Sequence, residues 1–509
     1  MKFDCTIIGA GLSGITVLVN LLETLNKKKL KKKFKFCIID KDPELIAGGV
    51  AYSIKCSTSG FFNNPIRLSH PDFVKWIRRK NNLFKVKEYL RINGSEVEKE
   101  WAKKKINTKS PNFSEEYLPR VIVNFWLKSI LLKTIKKTNQ KISIYWIKSD
   151  IHKIKKEKNH YKIFSSKKFI KLYSKDFITF YKQETIKSIE SRIISFSLGI
   201  PSPKKFHNKK FLSKMYLWDF YAEGSTEKLK KLIFNIKKKK LIKIFFIGYK
   251  AGLLEPLMEI KYLLKTLGHK IKIITLSNSL KSLEPAIKSK NFRKLKFKKL
   301  DEKNIKNIKT GKELFDLFIK EIDEAKKGGF NKYDVWTKVL SEKTLDKILN
   351  NFSKNQLLKY NKVYHSKIRS LTRFTFPDVV FLKNKLVKKK IINIARGKIV
   401  KIENKNKNLH ILIKKDQKFK NIVADIVVNA SGPQKMKDLI KNNSLVNSLK
   451  NICNISEKGF DFNNNFEIAK NIFSPGYLSA GFNPARKTLF KAIIENSNKV
   501  GKVIGNEIQ

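Results

Sequence analysis

Three glycines near the start of the chain have the spacing that a phosphate-binding turn requires. Gly9, Gly11 and Gly14 follow a short apolar run at residues 3–8 and precede an apolar-periodic segment at residues 15–25. In such an arrangement the first glycine allows a tight turn, the second lets the backbone approach a pyrophosphate, and the third lets helix and strand pack closely. The helix N-terminus supplies N–H groups and the positive end of a dipole. The pattern predicts a nucleotide-binding turn between a strand and a helix.

An acid follows at the end of the next apolar run. The run FKFCIID ends in Asp40, whose carboxylate can accept hydrogen bonds from ribose hydroxyls. Asp40 lies 26 residues after Gly14 instead of about 20, because the lysine-rich stretch NKKKLKKKF lengthens the connection. Together these parts predict a β-turn-α-β unit that binds a dinucleotide. The alternative, a glycine-rich turn without a ligand, is disfavoured by the ordered set of strand, helix and acid.

A series of short motifs continues after this unit. Its members are Asp40, Pro43, Gly49-Val50-Ala51-Tyr52-Ser53, Asn64, Pro65, Ser69, Phe73 and Trp76, and later Pro119-Arg120 within YLPRVIVNFWLKSIL. This series resembles a family of bacterial FAD/NAD(P)-binding oxidoreductases, whose N-terminal region reads approximately D-x-x-P, G-x-G-V-A-Y-S, L-N-V-P-A, F-x-x-W-L and F-x-P-R. The resemblance implies an FAD site. Its residues would be Gly9, Gly11, Ser13, Gly14, Asp40, Gly49, Val50, Ala51, Tyr52, Asn64 and Arg120.

Two C-terminal stretches extend the resemblance. Residues 398–433 read as three strands that end in NASGP, and they resemble the strand and turn that close the FAD-binding domain in two-dinucleotide flavoproteins. Gly432 of that turn is therefore assigned to the FAD site. Residues 189–203 read as a weaker copy of the same pattern. Residues 472–497 resemble the last strand-turn-helix, where Gly481 would approach the flavin.

A second β-α-β pattern occupies residues 239–277, with Gly248 and Gly252 in its turn. Lys250 stands where the family has its second glycine, Leu253 stands where a small residue would allow close packing, and the second strand ends without an arginine for a 2′-phosphate. Two interpretations remain open. The fold could bind NAD(P)H poorly or not at all, or Gly248 and Gly252 could hold NAD(P)H in a shifted geometry, with Lys250 pairing a phosphate.

The expected fold class is α/β, with a Rossmann-like FAD-binding domain of three layers and β-meander crossovers that encloses a second Rossmann-like domain. We expect residues 1–205 to form the first part of the FAD-binding domain and residues 390–509 its closing part. Residues 206–389 would form the NAD(P)-binding-like domain. A Lys/Glu/Leu/Ile-rich segment at about 300–360 has helical periodicity and predicts a helical insertion in this second domain.

Composition narrows the class of protein. The 110 basic residues exceed the 43 acidic ones by 67, but only 11 are arginine, the side chain suited to bidentate phosphate recognition. Lysine, asparagine, isoleucine and phenylalanine are all abundant and share AT-rich codons, so codon drift explains the charge and nucleic acid is disfavoured as a partner. The four cysteines contain no C-x-x-C pair and give no disulfide framework, so a reducing cytoplasm is expected. The seven histidines show no metal-ligand spacing. No stretch has the length of a membrane span.

The predicted function is an FAD-dependent oxidoreductase that acts on a small molecule, linked to NAD(P)H and of the monooxygenase or hydroxylase type. The sequence offers no nucleophile and no metal site, so the flavin would carry the reaction and catalytic residues stay unassigned. One alternative is a flavoprotein oxidase or dehydrogenase reduced by its substrate, with a degenerate nicotinamide site. Others are a basic flavin-binding protein that docks to nucleic acid or an acidic partner, and an inactive flavoprotein fold.

Overall fold

The chain forms two β-sheets built around parallel strands, each covered by helices, in a computed structural model. The structure describes residues 1–42, 46–54, 60–174, 180–206, 214–249, 251–267, 271–277, 283–405, 408–456, 459–480 and 489–508. No helix in these ranges is both long and apolar enough to span a bilayer.

The first sheet has ten strands, and β1 (Lys2–Ile8) lies near its centre. β1 runs parallel to β2 (Phe34–Asp40) and to β8 (Ile189–Phe196), while β3 (Ile142–Lys148) and β22 (Ile472–Phe473) extend the parallel part on either side. Such strands are buried on both faces, which explains their nearly continuous apolar sequences. The antiparallel strands of this sheet are β4 (Ile151–Lys156), β5 (Tyr161–Ser165), β6 (Phe169–Ser174), β7 (Phe180–Ile186) and β21 (Glu467–Ala469).

The second sheet is fully parallel and has five strands. Their spatial order is β14 (Ile392–Ala395), β11 (Ile271–Leu276), β10 (Ile242–Ile247), β18 (Ile426–Asn429) and β9 (Tyr216–Leu217). An antiparallel meander connects β14 to β18 and consists of β15 (Lys398–Lys405), β16 (Asn408–Lys415) and β17 (Lys418–Ala424). Two short pairs complete the strands, namely β12 (Glu284–Pro285) with β13 (Phe374–Thr375) and β19 (Ile455–Ser456) with β20 (Gly459–Phe460).

Sheet membership differs from the sequence-based expectation at one point. Residues 426–429 pair with β10 in the second sheet, so the turn with Gly432 follows that sheet and not the FAD-binding sheet. Residues 189–196, read as the weaker copy, pair with β1 in the first sheet. The domain boundary expected between residues 389 and 390 would therefore separate β14 and β18 from the other strands of the second sheet. Both segments are short apolar strands followed by small residues, and this local pattern does not determine the partner strand.

Helices cover both sheets. In chain order they are α1 (Leu12–Asn26), α2 (Gly49–Tyr52), α3 (Pro71–Ile77), α4 (Lys80–Asn93), α5 (Glu96–Lys103), α6 (Ile122–Ile135), α7 (Ser225–Asn235), α8 (Ala251–Leu267), α9 (Glu302–Asn307), α10 (Gly311–Lys327), α11 (Lys332–Ser341), α12 (Thr344–Asn350), α13 (Lys354–Lys359), α14 (His365–Leu371), α15 (Pro377–Lys388), α16 (Met436–Asn442), α17 (Ser444–Ser448), α18 (Tyr477–Ala480) and α19 (Leu489–Glu507). Helices α9 to α14 cover the segment whose periodicity predicted helices, and they enclose a hydrophobic cluster of their own.

Helix α1 is positioned by the C-terminal helix α19. At Gly501 of α19 an added Cβ would lie 2.5 Å from the Val17 carbonyl oxygen of α1, so glycine is needed for the close approach of the two helices. A buried hydrogen bond of 2.9 Å joins the hydroxyls of Ser13 and Ser497 across the same contact. The two ends of the chain therefore meet directly behind the first glycine-rich turn.

Candidate nucleotide-binding sites

The first turn requires glycine at two of its three glycine positions. Gly9 has φ +102°, and an added Cβ there would lie 2.5 Å from the Ser197 carbonyl oxygen at the end of β8. A Cβ on Gly14 would lie 1.9 Å from the Gly9 carbonyl oxygen, which is impossible without backbone movement. Gly11 is different, because the atom nearest to its added Cβ would be the Cα of Gly49, at 3.5 Å, which is an ordinary van der Waals distance. Packing within the chain therefore explains Gly9 and Gly14 but leaves Gly11 unexplained.

Helix α1 begins at the turn with open backbone N–H groups. Its N-cap residue Gly11 has no side chain to cap the first turn, and that turn contains no acidic residue. The first bond within the helix is donated by the Ile15 N–H to the Gly11 carbonyl, at 3.0 Å. The preceding N–H groups and the helix dipole suit an anionic group such as a pyrophosphate.

Asp40 is held at the end of β2 by two backbone amides. Its Oδ2 accepts a hydrogen bond of 2.7 Å from the Ala10 N–H, and its Oδ1 accepts one of 3.0 Å from the Asp42 N–H. Burial raises the pKa of Asp40, whereas these two amide hydrogen bonds lower it. Each carboxylate oxygen can accept a further hydrogen bond, as binding of ribose hydroxyls requires.

The segment 46–53 folds over the glycine-rich turn. Gly49 has φ +59° and faces Gly11, since a Cβ on Gly49 would lie 3.3 Å from the Gly11 Cα. Gly48 is confined as well, because its Cβ would lie 2.4 Å from the Ser53 nitrogen. The Ser53 hydroxyl is buried and has no hydrogen-bond partner in the described part of the chain. Facing glycines, open amides and an orphaned hydroxyl together fit a dinucleotide.

The remaining residues predicted for the FAD site lie in several environments. Helix α2 consists of Gly49, Val50, Ala51 and Tyr52. The Val50 side chain is exposed, whereas the Tyr52 ring packs on the Phe62 ring with a centroid distance of 6.1 Å. The hydroxyl of Ser13 is engaged by the serine of α19 described above. Gly481 lies outside the described residues.

Asn64 and Arg120 lie on two segments that meet beside this region. Phe61 and Pro119 form an isolated antiparallel bridge, and Arg120 donates from Nε to the Phe61 carbonyl at 3.1 Å. Asn64 is half-buried in the same loop. These contacts fix the loop that enters α3, the helix in which the predicted Phe73 is fully buried.

The second turn repeats the backbone geometry of the first. Gly248 has φ +125°, and its added Cβ would lie 2.5 Å from the Ala430 carbonyl oxygen at the end of β18. The Thr275 hydroxyl donates to the Gly248 carbonyl at 2.8 Å and fixes the turn. Gly252 lies in the first turn of α8. Gly432, assigned to the FAD site from the sequence, follows Ala430 beside this second turn.

Departures from the glycine pattern also have visible consequences at the second turn. Leu253, at the position that corresponds to Gly14, is fully buried in the core between α8 and the sheet. Lys250 lies outside the described residues. The strand-turn-helix geometry is therefore retained although the glycine pattern is incomplete.

A cleft lies between the two halves of the molecule, among α5, α8 and α15. Its apolar walls and its four charged residues come from both halves, and they are Phe61, Val97, Glu100, Trp101, Lys104, Met258, Lys261, Phe376, Asp378 and Leu382. Clefts between domains are frequent ligand sites. The sequence analysis did not find this one, because its residues come from four separate segments and share no motif.

A buried carboxyl pair lies where α5 meets α7 and α8. Glu98 of α5 and Glu259 of α8 are almost completely buried, and Lys230 of α7 lies 2.9 Å from the Glu259 carboxylate. Burial raises the pKa of Glu98 to about 7, against the lowering effect of the Ser95 N–H that donates to it. Burial likewise raises the pKa of Glu259, although Lys230 lowers it.

The raised pKa of Glu98 predicts that stability falls as the pH rises from about 4.5 to about 7. In that window the unfolded chain releases the proton whereas the folded protein retains it, so unfolding becomes more favourable by about 1.4 kcal/mol per pH unit. Below this pH window the protonated Glu98 makes its full contribution to the free energy of unfolding, and above the window that contribution is lost. Urea unfolding of Glu98→Gln over this range should show a flatter pH dependence, since glutamine keeps the hydrogen bond from the Ser95 N–H. Glu96→Gln, at an exposed position of the same helix, is the control and should retain the wild-type slope.

Each of the two sheets contains a glycine turn between a central parallel strand and a helix, which is the geometry of a dinucleotide-binding unit. Residues 6–172 match a family model described as FAD-NAD(P)-binding. This match confirms the predicted resemblance, the α/β fold and an FAD/NAD(P)-binding domain in the N-terminal part of the chain. None of the curated proteins compared with the sequence is significantly similar to it.

Solved structures share the fold over the whole chain. The reduced form of ornithine hydroxylase from Pseudomonas aeruginosa superposes with a TM-score of 0.55 at 10% identity, with 100% of both chains covered. An ornithine N-hydroxylase from Kutzneria sp. 744 with reduced FAD, NADP+ and L-ornithine gives 0.54, and L-lysine 6-monooxygenase from Pseudomonas syringae gives 0.53, each at 10% identity and full coverage of both chains. At this identity the likeness shows the fold.

Proposed function

We propose that the protein is an FAD-dependent, NAD(P)H-linked oxidoreductase of the monooxygenase type that acts on a small molecule. One observation carries the proposal: the two turns have the same construction, each with a positive-φ glycine whose Cβ would lie 2.5 Å from a carbonyl oxygen of the neighbouring parallel strand. A chain that retains two such turns is built for two dinucleotides. Two ornithine hydroxylases, one of them solved with reduced FAD and NADP+, and a lysine monooxygenase share this fold.

The first turn suits FAD because it offers the open amides of α1, the glycine surface of Gly11 and Gly49, and the carboxylate of Asp40. Bound FAD would supply electron transfer from the nicotinamide to oxygen. The protein's part is to hold the pyrophosphate at the helix N-terminus and the ribose at Asp40. Gly248 and Gly252 would hold the nicotinamide nucleotide at the second turn. The cysteine pattern favours a reducing cytoplasm as the place where the protein works.

The substrate is proposed to occupy the cleft among α5, α8 and α15. The cleft combines aromatic walls with side chains of both charges, including Lys104 and Asp378, for which no ion pair is found among the described residues. Such a lining suits a small molecule with an apolar body and polar ends. The similar structures include hydroxylases of ornithine and a monooxygenase of lysine, which are small molecules of this kind.

The absorbance spectrum of the purified protein tests the proposal. We expect flavin absorption after purification or after reconstitution with FAD, and we expect NADPH or NADH to bleach it under anaerobic conditions. Aeration should then restore the oxidised spectrum. A colourless protein whose thermal stability is unchanged by FAD would contradict the cofactor assignment.

A second candidate function is an oxidase or dehydrogenase whose flavin is reduced directly by the substrate. The observation that favours it is the buried Leu253, which replaces the third glycine of the second turn. In this case FAD is retained but neither NADH nor NADPH bleaches it. Bleaching by a candidate substrate alone would then identify the electron donor.

A further inference from the structure

The two sheets have the same register at their turns but end in different residues. In the first sheet, Ile8 of β1 pairs with Ile39 of β2, and the next residues are Gly9 after β1 and Asp40 at the end of β2. The last paired residues of β10 and β11 are followed by Gly248 and Ser277. Ser277 therefore stands in the second sheet where Asp40 stands in the first, so a neutral hydroxyl replaces the carboxylate.

This replacement changes which ribose the site can accept. A carboxylate at this position accepts hydrogen bonds from a free 2′-hydroxyl and repels a 2′-phosphate. Ser277 is buried and neutral and imposes no such repulsion. The second site is thus open to a phosphorylated ribose, provided that a cation lies within reach.

Arg396 is the cation in the matching position. Ala395 ends β14 in register with Leu276, and the Ser277 N–H donates to the Ala395 carbonyl at 3.0 Å. Arg396 follows directly and therefore lies beside Ser277 on the carboxyl edge of the sheet. It is exposed, and no described carboxylate lies within ion-pair distance of it. A sequence search at the end of β11 missed it, because it follows a strand that is remote in sequence.

The spacing of the strands places Arg396 at a suitable distance from the turn. Gly248 and Arg396 are separated by two strand intervals, roughly 10 Å, which an adenosine ribose with its attached phosphates can bridge. The residue after Arg396 is held against the meander, since a Cβ on Gly397 would lie 2.8 Å from the carbonyl oxygen of Lys414. A guanidinium is the side chain best suited to grip a phosphate with two hydrogen bonds.

We infer that Arg396, next to the neutral Ser277, recognises a 2′-phosphate and makes the second site selective for NADPH over NADH. The inference rests on the proposed function, because it assigns the nucleotide of the second turn. It makes Arg396 a specificity-determining residue and Ser277 the position that permits the phosphate. Lys250, considered from the sequence as a phosphate partner, is not needed for this discrimination.

Calorimetric titration of the FAD-loaded protein with adenosine 2′,5′-bisphosphate and with 5′-AMP tests the inference without any turnover. We expect the bisphosphate to bind the wild type at least tenfold more tightly than AMP. Arg396→Ser should weaken binding of the bisphosphate by roughly 10- to 100-fold, because a charge-assisted hydrogen-bonded pair is lost, and should leave the affinity for AMP unchanged. Lys398→Ser removes an equal charge from the adjoining strand and should have less than a threefold effect. Ser277→Asp should also weaken binding of the bisphosphate, because the new carboxylate would repel the 2′-phosphate.

Anaerobic flavin reduction separates failure of the inference from failure of the proposed function. If the nucleotides reduce the flavin but Arg396→Ser leaves bisphosphate binding and the NADPH/NADH rate ratio unchanged, the inference is overturned and the proposed function stands. If neither nucleotide reduces the flavin although the bisphosphate binds and Arg396→Ser weakens it, the inference holds for binding and NAD(P)H-linked function fails. Unaltered thermal unfolding of Arg396→Ser, expected for an exposed side chain, shows that the variant is folded.

Discussion

Gly14→Ala should destabilise the protein by about 3 kcal/mol or more and remove FAD binding. The added Cβ would lie 1.9 Å from the Gly9 carbonyl oxygen and 3.0 Å from its carbonyl carbon, both of them backbone atoms that cannot rotate away. Alanine in a helix interior gains about 1 kcal/mol over glycine from intrinsic propensity. The overlap outweighs this gain, because relief requires α1 to move away from β1 and so disrupts the closely packed α1–α19 contact as well.

Thermal unfolding of the apo-protein measures this effect. A loss of about 3 kcal/mol corresponds to a fall in apparent Tm of roughly 6–12 °C for a unit of some 200 residues. Gly199→Ala is the matched control, since an added Cβ at Gly199 has no neighbour within 4 Å and should change stability by less than about 0.5 kcal/mol. An unchanged Tm for Gly14→Ala would contradict the close approach of α1 and β1.

Local pattern was sufficient for the first β-turn-α-β unit. The apolar run, the glycine spacing and Asp40 lie within one continuous segment, and each part of the unit is specified by nearby residues. The predicted strand, helix and strand correspond to β1, α1 and β2, with boundaries that differ by at most three residues at the start of the helix. The helical insertion was predicted for the same reason, because a 3.6-residue period is a local property.

Pairing between distant strands was not specified by local pattern. Residues 189–196 and 426–429 have similar apolar sequences and similar small-residue turns, and only their pairing with β1 and β10 distinguishes the two sheets. The same limit applies to the sites. The surroundings of Arg396, the charged cleft and the Glu98–Glu259 pair are three separate features. Each is formed by chain segments that are far apart in sequence, and no spacing rule connects those segments.

Gly11→Val should remove FAD and leave the fold intact, in contrast to Gly14→Ala. Gly11 has φ −78° and ψ −161°, which any residue adopts, and no atom would lie closer to its added Cβ than the Gly49 Cα, at 3.5 Å. The internal packing of the chain therefore does not demand glycine here, and the ligand is the remaining reason for its presence. A side chain at this position would fill the space through which a pyrophosphate approaches the open amides of α1.

The flavin content of Gly11→Ala and Gly11→Val, measured by absorbance after purification and reconstitution, tests this directly. We expect a graded loss, with alanine weakening FAD binding about tenfold and valine leaving less than about a tenth of the sites occupied. The apparent Tm of the apo-proteins should remain within a few degrees of the wild type, so that lost binding is not confused with lost folding. Full flavin retention in Gly11→Val would place the pyrophosphate elsewhere. Lost flavin with an unchanged apo-protein would mean that Gly9 and Gly14 build the turn and Gly11 admits the cofactor.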